Sequence, residues 1–113
     1  MLKSLWVDLS EKSYPIYLSD NWNSLFQEAF NYLNNKYDSL KDRKMLIITD
    51  ENVYDQYHQV VEEAFKEWGL DVTSAVVPPG ESSKSLKQAE ELYTAALKAK
   101  LDRHSLITAL GGG

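Results

Sequence analysis

The chain has no cysteine, which removes thiolate metal sites and cysteine nucleophiles from its chemistry. That absence agrees with a reducing cytoplasm, and equally with an exported chain that carries no disulfides. No apolar run approaches the ~20 residues of a membrane-spanning helix, and the opening MLKSLWVDLS lacks the apolar core of a signal peptide. Basic residues are in the minority, 12 Lys and Arg against 17 Asp and Glu, giving a net charge of −5 and a pI near 4.9. A nucleic-acid surface needs clustered Lys and Arg to neutralise phosphates, so the expected partners are small molecules or proteins, with neither nucleic acid nor membrane. The expected compartment is the cytoplasm.

What remains is an ordinary globular composition, 43% hydrophobic and 26% charged over 113 residues, enough for one domain with a core. There is no internal repeat and no low-complexity segment. Leu5, Val7 and Leu9 alternate with polar or exposed positions, and Tyr14, Ile16 and Leu18 do so again after the polar turn at residues 10–13, which predicts a β-hairpin. Pro15 cannot donate to a ladder and gives the second strand a free edge there. Trp22, Leu25, Phe26, Ala29, Phe30 and Leu33 trace one face of a helix over residues 22–35. A continuous apolar run at 45–49 suits a parallel strand covered on both faces. Tyr54, Tyr57, Val61, Ala64, Phe65 and Trp68 form a second helical face, closed by Gly69 at its C′ position.

A strand over residues 72–77 follows, then a third helix with Leu86, Ala89, Tyr93, Ala96 and Leu97 on one face, and a last apolar strand at 106–110. A hairpin followed by α, β, α, β, α, β predicts a three-layer, Rossmann-like α/β fold. Its mostly parallel sheet is joined by right-handed crossovers. The expected core includes Ile47, Ile48, Phe65, Trp68, Val76, Leu97 and Ile107, with the runs at 45–49 and 106–110 as neighbouring parallel strands.

Sheets of this kind bind ligands beyond the carboxyl ends of their strands, and three unusual stretches stand there. One is Asp50 to Val53. The second is the loop from Val77 to Ser85, where Pro78 and Pro79 stiffen the chain and Gly80 permits a sharp turn. Directly afterwards Glu81 can accept two ribose hydroxyls, Lys84 supplies a mobile cation, and Ser82, Ser83 and Ser85 can cap the next helix. The same loop also reads as a well-capped turn with a surface Glu–Lys pair. The third stretch is Gly111, Gly112 and Gly113, which allows a backbone to approach a pyrophosphate when a helix follows. The glycine order is not GxGxxG, so an ordinary dinucleotide fingerprint is absent. A strand ending on a bare glycine turn suggests an amino-terminal piece of a longer protein. His58 is expected on a solvated helix surface and His104 at a strand end, and neither is expected to bind metal.

Tyr14-Pro15-Ile16, Thr49-Asp50-Glu51-Asn52-Val53, the loop Pro79-Gly80-Glu81-Ser82-Ser83-Lys84-Ser85-Leu86 and the stretch from Asp102-Arg103-His104-Ser105 to Leu110-Gly111-Gly112-Gly113 occur together in this order. In this the chain resembles the amino-terminal domain of the 3-dehydroquinate synthase family of sugar-phosphate cyclases. The resemblance spans nearly the whole chain. It implies that residues 1–113 are an NAD-binding domain truncated before a helical domain that holds a divalent metal, zinc or cobalt. It also implies a reaction in which 3-deoxy-D-arabino-heptulosonate 7-phosphate becomes 3-dehydroquinate and phosphate, on the shikimate route to aromatic amino acids.

By position, the NAD contacts implied are Asp50, Asn52, Val53, Pro79, Gly80, Glu81, Ser82, Ser83, Lys84, Gly111, Gly112 and Gly113. No catalytic or metal-binding residue is implied within the chain. The full-length enzyme is implied to be a homodimer, and the chain alone is expected to be inactive. Related cyclases of the 2-deoxy-scyllo-inosose synthase type share these motifs, and metal-dependent polyol dehydrogenases share the broader architecture. A non-catalytic nucleotide-binding module is the alternative of a different class.

Overall fold

The structure, a computed structural model, describes residues 2–79 and 86–111. The chain divides into two units, one ending at Ser39 and the other beginning at Leu40.

In the first unit, β1 (Leu2–Val7) and β2 (Tyr14–Ser19) pair antiparallel with Leu5 opposite Ile16. The turn between them is held by the Ser13 hydroxyl, which accepts from the Leu9 N–H and donates to the Ser10 carbonyl, both at 2.7 Å. Helix α1 (Trp22–Lys36) opens on Asn21, whose side-chain oxygen accepts from the Ser24 N–H at 2.9 Å. This is the N-cap bond that satisfies one of the orphan donors of a first turn. Trp22 and Phe26, one turn apart, stack at 5.4 Å. The hairpin appears as its alternation predicts, but the sides are reversed. Pro15, Tyr17 and Ser19 are the more covered residues of β2, whereas Tyr14, Ile16 and Leu18 are exposed. Burial, together with Glu28 and Tyr32 of α1, raises the Tyr17 hydroxyl above its ordinary pKa.

The second unit is built on β3 (Lys44–Asp50), the middle of a three-stranded parallel sheet in the order β4-β3-β5. Strand β4 (Asp71–Val77) pairs on one side with Ile47 opposite Ser74, and β5 (Leu106–Leu110) on the other with Ile47 opposite Thr108. Successive residues of a strand point to opposite faces, and both Leu46 and Ile47 are buried, so β3 is covered on both faces. Glu62 of α2 (Glu51–Glu67) accepts a 2.7 Å hydrogen bond from the Ser74 hydroxyl, which assigns α2 to the face shared by Ile47, Ser74 and Thr108. Helix α3 (Leu86–Lys98) runs into a turn whose Lys100 carbonyl accepts from Lys44 Nζ at 3.0 Å, on the Leu46 face. Right-handed crossovers to opposite sides of β3 demand this split. The unit is therefore α on β on α, the three-layer parallel arrangement expected.

Helix α2 buries Val53, Val61 and Phe65 and ends at Gly69, whose φ of +88° is the left-handed C′ conformation that glycine adopts without strain. Its carbonyl accepts from Asp42 N–H at 2.7 Å, and a side chain at this position would meet the Lys41 backbone at 3.2 Å.

Part of the expected core needs correction. Ile47 and Phe65 are buried, and Ile48 and Trp68 are half-buried. Val76, Leu97 and Ile107 are exposed, Ile107 at 63%. The more covered residues of α3 are Gln88, Leu92, Ala95 and Ala96, so of the expected face Ala96 lies inward while Ala89, Tyr93 and Leu97 are exposed. Ile107 lies on an outer strand, on the Leu46 face, and this position of β5 is uncovered. Leu46→Ala should accordingly cost about 2–5 kcal/mol of unfolding free energy, and Ile107→Ala no more than about 0.5 kcal/mol, in denaturant titrations of the two variants.

Candidate functional site

Strand β3 passes into α2 with no intervening loop: Asp50 is the last strand residue and the N-cap of the helix. Its extended backbone, φ −93° and ψ 168°, lets the side chain fold back, and Oδ1 accepts from the Val53 N–H at 2.9 Å. A carboxylate offers about four acceptor positions on its two oxygens, so this bond uses a fraction of its capacity. The charge also sits at the positive end of the α2 dipole, where an anion is favoured.

The parallel register brings the other stretches to the same end. Asp50 lies beside Val77, after which the chain enters Pro78 and Pro79, and Thr49 lies beside Leu110, after which comes Gly111. Neighbouring strands are about 4.8 Å apart, so Val77, Asp50 and Gly111 form a short row across the carboxyl edge of the sheet. The helices after β3 and β4 leave to opposite faces, and the crevice this opens between adjacent strand ends is where α/β sheets take ligands. Among the described residues, its chain neighbours aside, none has an atom within 4 Å of where a Gly111 Cβ would stand.

Of the expected contacts, Asp50, Asn52, Val53, Pro79 and Gly111 are thus brought to one end. Asn52 is exposed in the first turn of α2, whereas the Val53 side chain is buried and its N–H is engaged by Asp50. Gly80, Glu81, Ser82, Ser83, Lys84, Gly112 and Gly113 lie outside the described residues. Sequence reasoning treated Asp50 as a ligand acceptor and passed over its capping role, although an acid just before a helical run is a strong N-cap signal. It also passed over Thr49, the single buried polar residue among the described ones, whose hydroxyl donates to the Leu110 carbonyl at 2.8 Å.

The Asp102-Arg103-His104-Ser105 turn sits at the opposite, amino-terminal end of β5. Asp102 Oδ1 accepts from the His104 N–H at 2.8 Å, and the Asp102 N–H donates to Ser105 Oγ at 2.9 Å. Arg43 donates to the His104 carbonyl at 2.6 Å. This part of the motif holds the entry of β5 against β3. His58 is half-buried rather than solvated: its Nδ1 lies 2.7 Å from the Tyr54 carbonyl and its ring stacks on Tyr54 at 4.4 Å. Among the described residues no three His, Cys, Asp or Glu side chains gather as a metal-ligand set. No described helix is long and apolar enough to cross a membrane.

A parallel α/β unit of this kind recurs in a sugar-phosphate cyclase. A crystal structure of 2-deoxy-scyllo-inosose synthase complexed with carbaglucose-6-phosphate, NAD+ and Co2+ superimposes with a TM-score of 0.73 at 16% identity, over 97% of this chain and 28% of that one. The particular resemblance is to 3-dehydroquinate synthases. The family described as 3-dehydroquinate synthase N-terminal matches residues 74–113. The chain is 40% identical over 112 residues to the 3-dehydroquinate synthase of Clostridium botulinum, covering 99% of this chain and 30% of that enzyme. It is 38% identical over 110 residues to that of Desulforamulus reducens, covering 97% and 29%. The chain spans about three-tenths of the length of these curated relatives.

Replacing Asp50 with Ala should cost about 0.5–2 kcal/mol of stability through the lost cap, and Asp50→Ser should recover most of it, as read by thermal unfolding. At the other end of the sheet, the His104 N–H holds the Asp102 carboxyl below its ordinary pKa of 3.8. A carboxyl depressed in the folded state stabilises above its unfolded pKa, and the benefit vanishes as pH falls through the folded value. The stability gap between the parent chain and Asp102→Ala should therefore be constant near neutrality and close below pH 3.8 in a pH series of melts.

Proposed function

We propose that this chain is the NAD-binding amino-terminal part of a 3-dehydroquinate synthase, a cytoplasmic enzyme of the shikimate route. That enzyme converts 3-deoxy-D-arabino-heptulosonate 7-phosphate to 3-dehydroquinate and phosphate. The observation that carries this reading is the row formed by Val77, Asp50 and Gly111, which unites three separate motif stretches at one end of the sheet.

The residues present fit the cofactor. A ribose diol needs an acceptor with two free positions, which a capping carboxylate such as Asp50 retains; Glu81 supplies a second acceptor of the same kind. Either carboxylate repels a 2′-phosphate, which favours NAD over its phosphorylated form. A glycine at position 111, with no described residue within 4 Å of where its Cβ would stand, chain neighbours aside, fits a backbone approach to the pyrophosphate, with Lys84 as the countercharge and Asn52 as a polar contact at the start of α2. Bound NAD supplies a reversible hydride acceptor, so that oxidation of the substrate to a ketone acidifies the adjacent C–H and lets phosphate leave.

The part played by this chain is to bind and orient the cofactor. The divalent metal, zinc or cobalt, and the residues that hold the sugar phosphate belong to the helical part of the enzyme. The full enzyme is a homodimer. The structure of the 2-deoxy-scyllo-inosose synthase shares the fold at 16% identity, whereas the 3-dehydroquinate synthases reach 38–40%, which favours the latter activity.

Phosphate release from 3-deoxy-D-arabino-heptulosonate 7-phosphate, assayed with NAD and zinc or cobalt in the full enzyme carrying this chain, tests the reaction. Absence of turnover would reject the assignment, and turnover by residues 1–113 alone would reject the division of labour, since the isolated chain should be silent and bind NAD weakly. Because no described residue, chain neighbours aside, lies within 4 Å of where a Gly111 Cβ would stand, Gly111→Ala should change the thermal midpoint little while its methyl crowds the pyrophosphate and weakens NAD binding about tenfold or more in a calorimetric titration.

A further inference from the structure

We infer that Thr49 is a positioning residue of the cofactor site, one that aims the Gly111 N–H by holding the carbonyl of Leu110. The inference rests on the NAD reading above.

Thr49 is 4% exposed and stands one residue before Asp50 in the central strand. Its Oγ1 donates to the Leu110 carbonyl at 2.8 Å, from the strand that ends at the glycine turn. A peptide unit is planar and trans, so the C=O of one residue and the N–H of the next point in opposite directions. Fixing the Leu110 carbonyl toward β3 therefore fixes the Gly111 N–H toward the side away from β3. No described residue, chain neighbours aside, lies within 4 Å of where a Gly111 Cβ would stand.

The register ends at the Thr49–Leu110 pair, so the Leu110–Gly111 peptide is the last one the sheet holds, and the Thr49 hydroxyl adds a side-chain bond to it; ordering a loosely held peptide on ligand binding costs up to about 1–2 kcal/mol per residue of backbone entropy. A side-chain hydroxyl that has already set the plane removes part of that cost from the binding step. The geometry also explains a burial that packing alone does not favour. A buried hydroxyl is costly unless it is bonded, and at this position valine would fill the same space without that requirement. Thr108, its neighbour on the same face of β5, directs its hydroxyl at Met45 Sδ instead, at 2.9 Å, and so does not duplicate the tie.

The test uses the full enzyme and three proteins: the parent, Thr49→Val and Thr49→Ser. NAD affinity is read by calorimetry, and the rigidity of the Gly111 amide by its NMR order parameter. Thr49→Val should raise the NAD Kd about three- to tenfold, the worth of one ordinary hydrogen bond, and lower the Gly111 order parameter before any NAD is added. Thr49→Ser, which keeps the hydroxyl and loses a methyl, should keep both near the parent values. A residue that served packing alone would show the reverse order, with serine the more damaging change. Unchanged NAD affinity and Gly111 rigidity in Thr49→Val, or equal losses in both variants, would overturn the positioning role. Failure of the parent itself to bind NAD would instead sink the cofactor reading, and the inference with it. Should Thr49→Val not fold, Thr49→Ser against Thr49→Ala carries the same contrast.

Discussion

Everything described of the second unit depends on the double-sided burial of β3. Leu46 and Ile47 point to opposite faces and are both withdrawn from water, which requires a helix on each side and a hydrogen-bonded neighbour on each edge. Each fully buried side chain of this kind is worth about 1.5–3 kcal/mol, so the central strand fixes its own register as strongly as a chain of this size allows. A slip of one residue would exchange the faces of every side chain on it. That register in turn aligns the ends of β4 and β5 with Asp50. The site is a consequence of the core.

The two ends of the sheet divide the chemistry. At the amino-terminal end, Asp102, Arg43 and the Lys100 turn tie loop backbone to strand and helix with bonds that are local or reach across to β3. At the carboxyl end the polar groups also bond, Asp50 to the first turn of α2 and Thr49 to Leu110, beside a Gly111 whose Cβ position no described residue crowds. A carboxylate at a helix start is stabilising there whatever it later contacts, because it answers the orphan N–H groups and the helix dipole together. Structure and ligand recognition need not compete for Asp50.

The exposed apolar residues follow from the same geometry. Helix α3 presents small residues, Ala95 and Ala96, inward with Leu92, and leaves Tyr93 and Leu97 outside. Small inward residues let the helix lie close to the sheet, while β5 keeps Ile107 uncovered as an outer strand. In the first unit, register places Leu5, Ile16, Val7 and Tyr14 on one side of the hairpin, and Leu5, Tyr14 and Ile16 are exposed there.

The sequence by itself determined the order and type of the elements. The hairpin, the three helices, the apolar runs at 45–49 and 106–110 and the C′ glycine at Gly69 are local patterns set by side-chain period and backbone conformation, and each is found where it was read. It also carried the family resemblance, which rests on Asp50, the Pro79–Lys84 loop and the glycine turn occurring together in that order. Only the tertiary structure decided which side of an amphipathic element faces inward. The apolar stripes of α3 and β2 predicted the wrong side, because an apolar residue can lie outside when no element covers it, and periodicity carries no information about coverage. Only the tertiary structure, likewise, could join Thr49 to Leu110, a contact between residues 61 apart in sequence that exists because two strands lie parallel and in register.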